Sequence, residues 1–184
     1  MKTAFIFHGT GGYPEENWFP WLKRELEKEG YNVFVPQFPT PKNQAPEYWF
    51  KVFEKYEKEL NNNTIIIAHS GGCLFLLRLL EKINVKIKCA AFVAPPSGVM
   101  PIKYIEADKP FLGPFNFKKI IESSENFLVF HSVDDPLVSI GNGEKLAKEL
   151  SVALNKEENA GHFNATAGYT KFEKLFEKLS TSFS

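Results

Sequence analysis

The chain has 184 residues, and its 22 Lys and Arg balance its 22 Asp and Glu. That length suits one domain, 1–184, around a single substantial core and is short for two. Zero net charge supplies no large field to draw the chain to nucleic acid or to an anionic membrane surface, so a small molecule or a peptide is the expected partner; no oligomeric state follows.

Short β-rich apolar runs alternate with longer amphipathic stretches. Thr3 to Phe7 reads as a first strand and Tyr31 to Val35 as a second. Between them, Trp18, Leu22 and Leu26 mark a helix over Trp18 to Lys28, which Gly30 stops. Pro46 opens a second helix that runs to about Leu60 and buries Phe50 and Phe53 on one face, before Asn61-Asn62-Asn63 breaks it. Ile65 to Ala68 is the third strand. The helix after it, Gly71 to Leu80, is apolar around most of its circumference and must lie centrally.

Ile87 to Val93 makes a fourth strand, ended by Pro95-Pro96, and Phe127 to Phe130 a fifth. Ser97 to Phe117 is rich in Pro, Gly and aromatics and reads as a functional loop or short cover, with a helix near Ile120 after it. A helix over Glu144 to Leu150, a sixth strand at Val152 to Asn155 and a helix from about Thr170 to Leu179 complete the chain. The alternation predicts an α/β fold: a three-layer α/β/α sandwich around a mostly parallel sheet of about six strands. There is no internal repeat and no linker.

Cys73 and Cys89 make neither a disulfide framework nor a metal-ligand cluster, and both read as buried thiols. The first apolar run is too short for a signal peptide, and nothing approaches the roughly 20 residues of a membrane span. A reducing, cytoplasmic setting is expected, with no membrane partner.

The chemistry centres on Ile65-Ile66-Ile67-Ala68-His69-Ser70-Gly71-Gly72. A serine is an ordinary turn residue, but this one sits at the carboxyl end of a buried parallel strand, where open α/β sheets place their ligand crevice. A nucleophile on a sharp strand-to-helix corner needs small neighbours, and Ala68 and Gly72 read as that allowance. A serine hydroxyl also needs a base and an orienting carboxylate. Of the four histidines, His69 projects elsewhere, His131 lacks an obvious partner and His8 shapes the first loop. His162, within Ala160-Gly161-His162-Phe163, is the best base. Asp135 is the preferred acid because Pro136 restricts the residue before it; Asp134 is the weaker candidate. Backbone amides of Thr10 and Gly71 are placed to receive an oxyanion. The early glycines do not make a dinucleotide loop: with Gly9 and Gly11 as the first pair, the third glycine of GxGxxG falls at Pro14, and Gln37 stands where an acid should end the second strand. No cofactor and no metal is called for.

The His-Gly loop, the Ala-His-Ser-Gly-Gly elbow, the Asp-Asp-Pro-Leu-Val turn and the Gly-His-Phe loop together resemble a compact α/β-hydrolase. More narrowly, the chain resembles the small serine hydrolases of the YdeN and retinoblastoma-binding protein nine family. The resemblance implies Ser70 as nucleophile, Asp135 as orienting acid and His162 as base, in a fold without a large lid. Two positions depart from common hydrolase patterns: Ala68 replaces a glycine, and Ser139 stands where a proline is frequent. The Leu-x-Cys-x-Glu motif needed for retinoblastoma-protein recognition is missing. The expected function is a serine hydrolase acting on a small ester, thioester or amide, with Trp18, Phe19, Phe111, Phe115 and Phe163 as candidate acyl-pocket residues. The competing reading is an interaction module that docks through Tyr104 to Phe117.

Overall fold

Central strands with both faces apolar require a layer of structure on each side. All six residues of β3 (Thr64–His69) are buried, as are five of six in β1 (Lys2–Phe7). In the computed structural model, which describes residues 1–183, these strands sit at the middle of one sheet. The remaining elements, in chain order, are α1 (Phe19–Lys28), β2 (Tyr31–Phe34), α2 (Pro46–Phe53), α3 (Gly71–Lys82), β4 (Ile87–Val93), α4 (Ile105–Asp108), α5 (Phe117–Glu122), β5 (Ser124–Ser132), α6 (Gly141–Glu149), β6 (Leu154–Glu157) and α7 (Glu173–Ser180).

The six strands are all parallel, in the order β2-β1-β3-β4-β5-β6. Period-two alternation divides the core. Ile65 and Ile67 of β3 face α1 and α7 with Leu22, Leu26 and Leu175, whereas Ile66 and Ala68 face the layer containing α2, α3 and α6. In that second layer the Phe38 and Trp49 rings stack 4.4 Å apart, beside Phe75 of α3. The chain leaves β1 for β2 on one side and returns to β3 on the other. A crevice therefore opens between the carboxyl ends of β1 and β3, where the direction of winding reverses.

Several boundaries differ from the sequence-based expectation. The second helix ends at Phe53 and continues as a 3₁₀ segment, Glu54–Glu59. Its tighter period brings Phe53 and Tyr56, three residues apart, onto one face, and both rings meet Phe5. The sixth strand starts at Leu154, two residues later than expected, because Val152 is still engaged in closing α6: its N–H donates to the Ala147 carbonyl, with Ser151 at φ +57°. α4 lies inside the segment expected to lack regular structure; at four residues it is too short to leave a periodic signal. Among the described residues no helix is long and apolar enough to cross a membrane.

Candidate active site

Ser70 is the hinge between β3 and α3. Its N–H extends the sheet ladder to the Val93 carbonyl at 2.9 Å, and its own carbonyl accepts the Cys73 N–H at 2.9 Å to start the helix. Serving both elements forces φ +52°, ψ −128°, a conformation that costs a non-glycine residue roughly 1–3 kcal/mol. Tight packing holds it there. A Cβ on Gly9 would lie 2.7 Å from the Ser70 Cβ, and one on Gly72 would lie 2.5 Å from the His8 carbonyl oxygen.

The hydroxyl at this corner meets a ring delivered from the far side of the sheet. Ser70 Oγ lies 2.9 Å from His162 Nε2, and His162 Nδ1 lies 2.8 Å from Asp135 Oδ2. Because a carboxylate only accepts, Nδ1 carries the proton and Nε2 is left to accept from the serine. Asp135 is fixed in turn: its Oδ1 accepts the Leu137 and Val138 N–H groups at 2.8 and 3.1 Å, and its side chain is fully buried.

Asp134 turns the other way, and its carboxylate accepts the Ser132 hydroxyl and, at 3.1 Å each, the Ala160 and Gly161 N–H groups. The Ser132 hydrogen bond, foremost, holds this carboxyl below the usual range. Adjacent aspartates thus divide two tasks, one on the ring of His162 and one on the loop that carries it.

Two further donors hold that loop. His69 Nε2–H donates to the His162 carbonyl at 2.8 Å, and Trp18 Nε1–H to the Phe163 carbonyl at 2.9 Å. Burial pushes His69 down to about 3, so its ring stays neutral. Neither contact was anticipated from sequence, although a signal existed for His69. Strand alternation puts it on the face of Ile65 and Ile67, the side to which Ala160 and Phe163 belong. His8 shapes the first loop, as expected, donating from Nδ1 to the Gly9 carbonyl and accepting the Phe38 N–H at Nε2, each at 2.9 Å. His131 donates to the Ser132 carbonyl instead of reaching Ser70.

The loop after β1 faces the start of α3. Gly71 opens that helix, so its N–H has no intrahelical acceptor. The Thr10 amide nitrogen lies 3.4 Å from the point where a Gly71 Cβ would sit. The Thr10 hydroxyl donates to Asp108 at 2.8 Å, and Gln44 donates to both. Burial, opposed by the Thr10 and Gln44 hydrogen bonds, pushes the Asp108 carboxyl up to about 6.

A cleft of about 220 Å³ opens over Ser70 and His162, with Glu16, Asn17, Tyr104, Leu137, Asn164 and Thr166 on its walls. Burial raises the Glu16 carboxyl above its ordinary value. Grooves of about 480 and 430 Å³ lie elsewhere, but neither contains a residue of the Ser70–His162–Asp135 line. The aromatic acyl pocket anticipated from sequence is not present. Trp18, Phe19, Phe111 and Phe163 are wholly buried in the core, and Phe115 lines the 430 Å³ groove. In the 104–117 stretch, Phe111 packs on Trp49 and Phe115 lies under Arg78, leaving Tyr104 exposed at the cleft.

The serine hydrolase family model matches residues 4–181. YdeN of Bacillus subtilis (strain 168) is 29% identical over 184 residues, covering 100% of this chain and 97% of YdeN. The serine hydrolase RBBP9 of Rattus norvegicus is 26% identical over 166 residues, 89% of this chain and 88% of its own. The crystal structure of the ydeN gene product matches with a TM-score of 0.92, covering 100% of this chain and 99% of the other.

Proposed function

The chain belongs to the serine hydrolase family and has a compact α/β-hydrolase fold, and from that premise we propose that it cleaves a small ester, thioester or amide through an acyl-enzyme on Ser70. The observation that carries this reading is the unbroken line of hydrogen bonds from Ser70 Oγ through His162 to Asp135, at 2.9 and 2.8 Å.

In this reading Ser70 Oγ attacks the carbonyl carbon as His162 Nε2 takes its proton. Asp135 holds the ring in the reactive tautomer and stabilises the imidazolium. The carbonyl oxygen gains charge and is met by the Thr10 and Gly71 N–H groups, which are fixed before the reaction and need no reorganisation. Collapse of the tetrahedral intermediate expels the leaving group, which takes the proton from His162. Water activated by the same nitrogen then hydrolyses the acyl-enzyme and restores the serine. The cleft's small volume favours a short acyl group.

Turnover of p-nitrophenyl esters of rising chain length, run beside aminoacyl amides, tests this. Acetyl and propionyl esters should be cleaved faster than octanoyl. Ser70→Ala should abolish turnover, and Asp135→Asn should lower it by about 10⁴ through the wrong tautomer. Asp134→Asn keeps an oxygen for the Ala160 and Gly161 amides and should retain most activity. A Ser70→Ala protein with undiminished turnover would overturn the reading, whereas exchanged behaviour of the two aspartate variants would move only the orienting role.

A further inference from the structure

Asp108 lies at the end of α4, within the 97–117 cover, and is only 2% exposed. No cation pairs with it among the described residues; its partners are neutral donors. Its Oδ1 accepts the Thr10 hydroxyl at 2.8 Å and the Gln44 amide at 3.0 Å, while the same Gln44 nitrogen donates to Thr10 Oγ1 at 2.7 Å. Thr10, Gln44 and Asp108, from three separate segments, therefore close a ring of hydrogen bonds. A second grip reaches the next residue: the Gly11 N–H donates to Thr40 Oγ1 at 2.7 Å, and the Thr40 hydroxyl donates to Gln44 Oε1.

The cover that brings Asp108 to this place is itself anchored. The buried Asn142 side chain accepts the Ser97 and Val99 N–H groups at 2.7 and 2.8 Å and donates to the Val99 carbonyl. Further along, the Lys103 N–H donates to the Leu137 carbonyl at 2.8 Å, beside Asp135. On the other side, Asp108 Oδ1 lies 2.8 Å from the point where a Gly71 Cβ would sit. The carboxyl thus borders Gly71 and holds the side chain of Thr10, the two residues whose amides are assigned to the oxyanion.

We propose that Asp108 is a positioning residue for the oxyanion site: as hydrogen-bond acceptor for Thr10 and Gln44, it fixes the direction of the Thr10 N–H and so makes the cover part of the reaction machinery. This rests on the reading of Ser70 as nucleophile and of Thr10 as oxyanion donor. Hydrogen bonds to an oxyanion act fully only when preorganised, and losing one such donor costs about 10²- to 10³-fold in kcat. Loosening a donor that remains present should cost less, about 10- to 100-fold.

The test measures kcat and KM on a p-nitrophenyl ester, per active site titrated with a fluorophosphonate, for wild type, Asp108→Ala, Asp108→Asn, Thr10→Val and the Thr10→Val/Asp108→Ala double variant. Asp108→Ala should lower kcat about 10- to 100-fold with KM within about threefold of wild type. Asp108→Asn keeps the acceptor oxygen and should recover to within about threefold of wild type. Thr10→Val removes the hydroxyl but not the amide. It should resemble Asp108→Ala, and the double variant should be no slower than either single one. Full kcat in Asp108→Ala, an Asn variant as slow as Ala, a loss confined to KM, or additive losses in the double variant would each overturn the proposal. Ser70→Ala, assayed on the same ester per mole of protein, separates the two readings. Turnover retained there removes the nucleophile assignment, whereas a dead Ser70→Ala beside a fully active Asp108→Ala removes only the role of Asp108.

Discussion

Asp108 and Asp134 show how environment sets ionisation. Asp134 is exposed and held low by the Ser132 hydroxyl, while Asp108 is buried without a cation and pushed up to about 6. An aspartate in the unfolded chain titrates near about 3.9, so the folded state binds the Asp108 proton more tightly. The stabilisation this gives is complete below about pH 4 and disappears as pH rises through about 6; over that window it amounts to something on the order of 3 kcal/mol. Asp108→Asn keeps the oxygen for Thr10 and Gln44 but never ionises. It should unfold at higher urea concentration than wild type at pH 8, with the gain gone at pH 4. A gain of equal size at both pH values would show that burial of the charge is not its source.

The β3–α3 corner depends on contacts between elements more than on the local preference of its residues. Gly72 brings α3 against the loop after β1, and a Cβ there would press to 2.5 Å from the His8 carbonyl oxygen and 3.0 Å from that of Phe7. Backbone atoms do not give way as a flexible side chain does, so Gly72→Ala should destabilise by about 1–3 kcal/mol in urea denaturation and slow ester turnover. Unchanged stability and turnover would mean that helix and loop are not rigidly opposed. The strong periodicities were legible: the three isoleucines of β3, the one-sided face of α1 and the all-round apolar α3 gave the layers correctly. The weak ones were legible only in part: α4 is a single turn and left no signal, and the edge strand β6, Leu154–Glu157, was expected two residues early because its Asn, Lys and Glu show no alternation. The candidate acyl-pocket aromatics were misplaced because composition marks a ring as apolar without saying whether it faces the core or a cleft.

Across the whole molecule, parallel strands put every strand-to-helix turn at one end of the sheet, and that alone brings the loops after β1, β3, β5 and β6 together. Chain order and turn chemistry therefore sufficed to name Ser70, Asp135 and His162 as neighbours. What holds them was hidden, since the partners are remote along the chain: Thr10 and Asp108 are 98 positions apart, and His69 and His162 are 93. The proposed reaction requires that this convergence make the Ser70 hydroxyl uniquely nucleophilic. The most direct measurement is reaction of the folded protein with an active-site-directed fluorophosphonate, followed by peptide mass mapping. A single adduct per chain, on Ser70, is the predicted result; an adduct on another serine, or no reaction of folded wild-type protein, would contradict it.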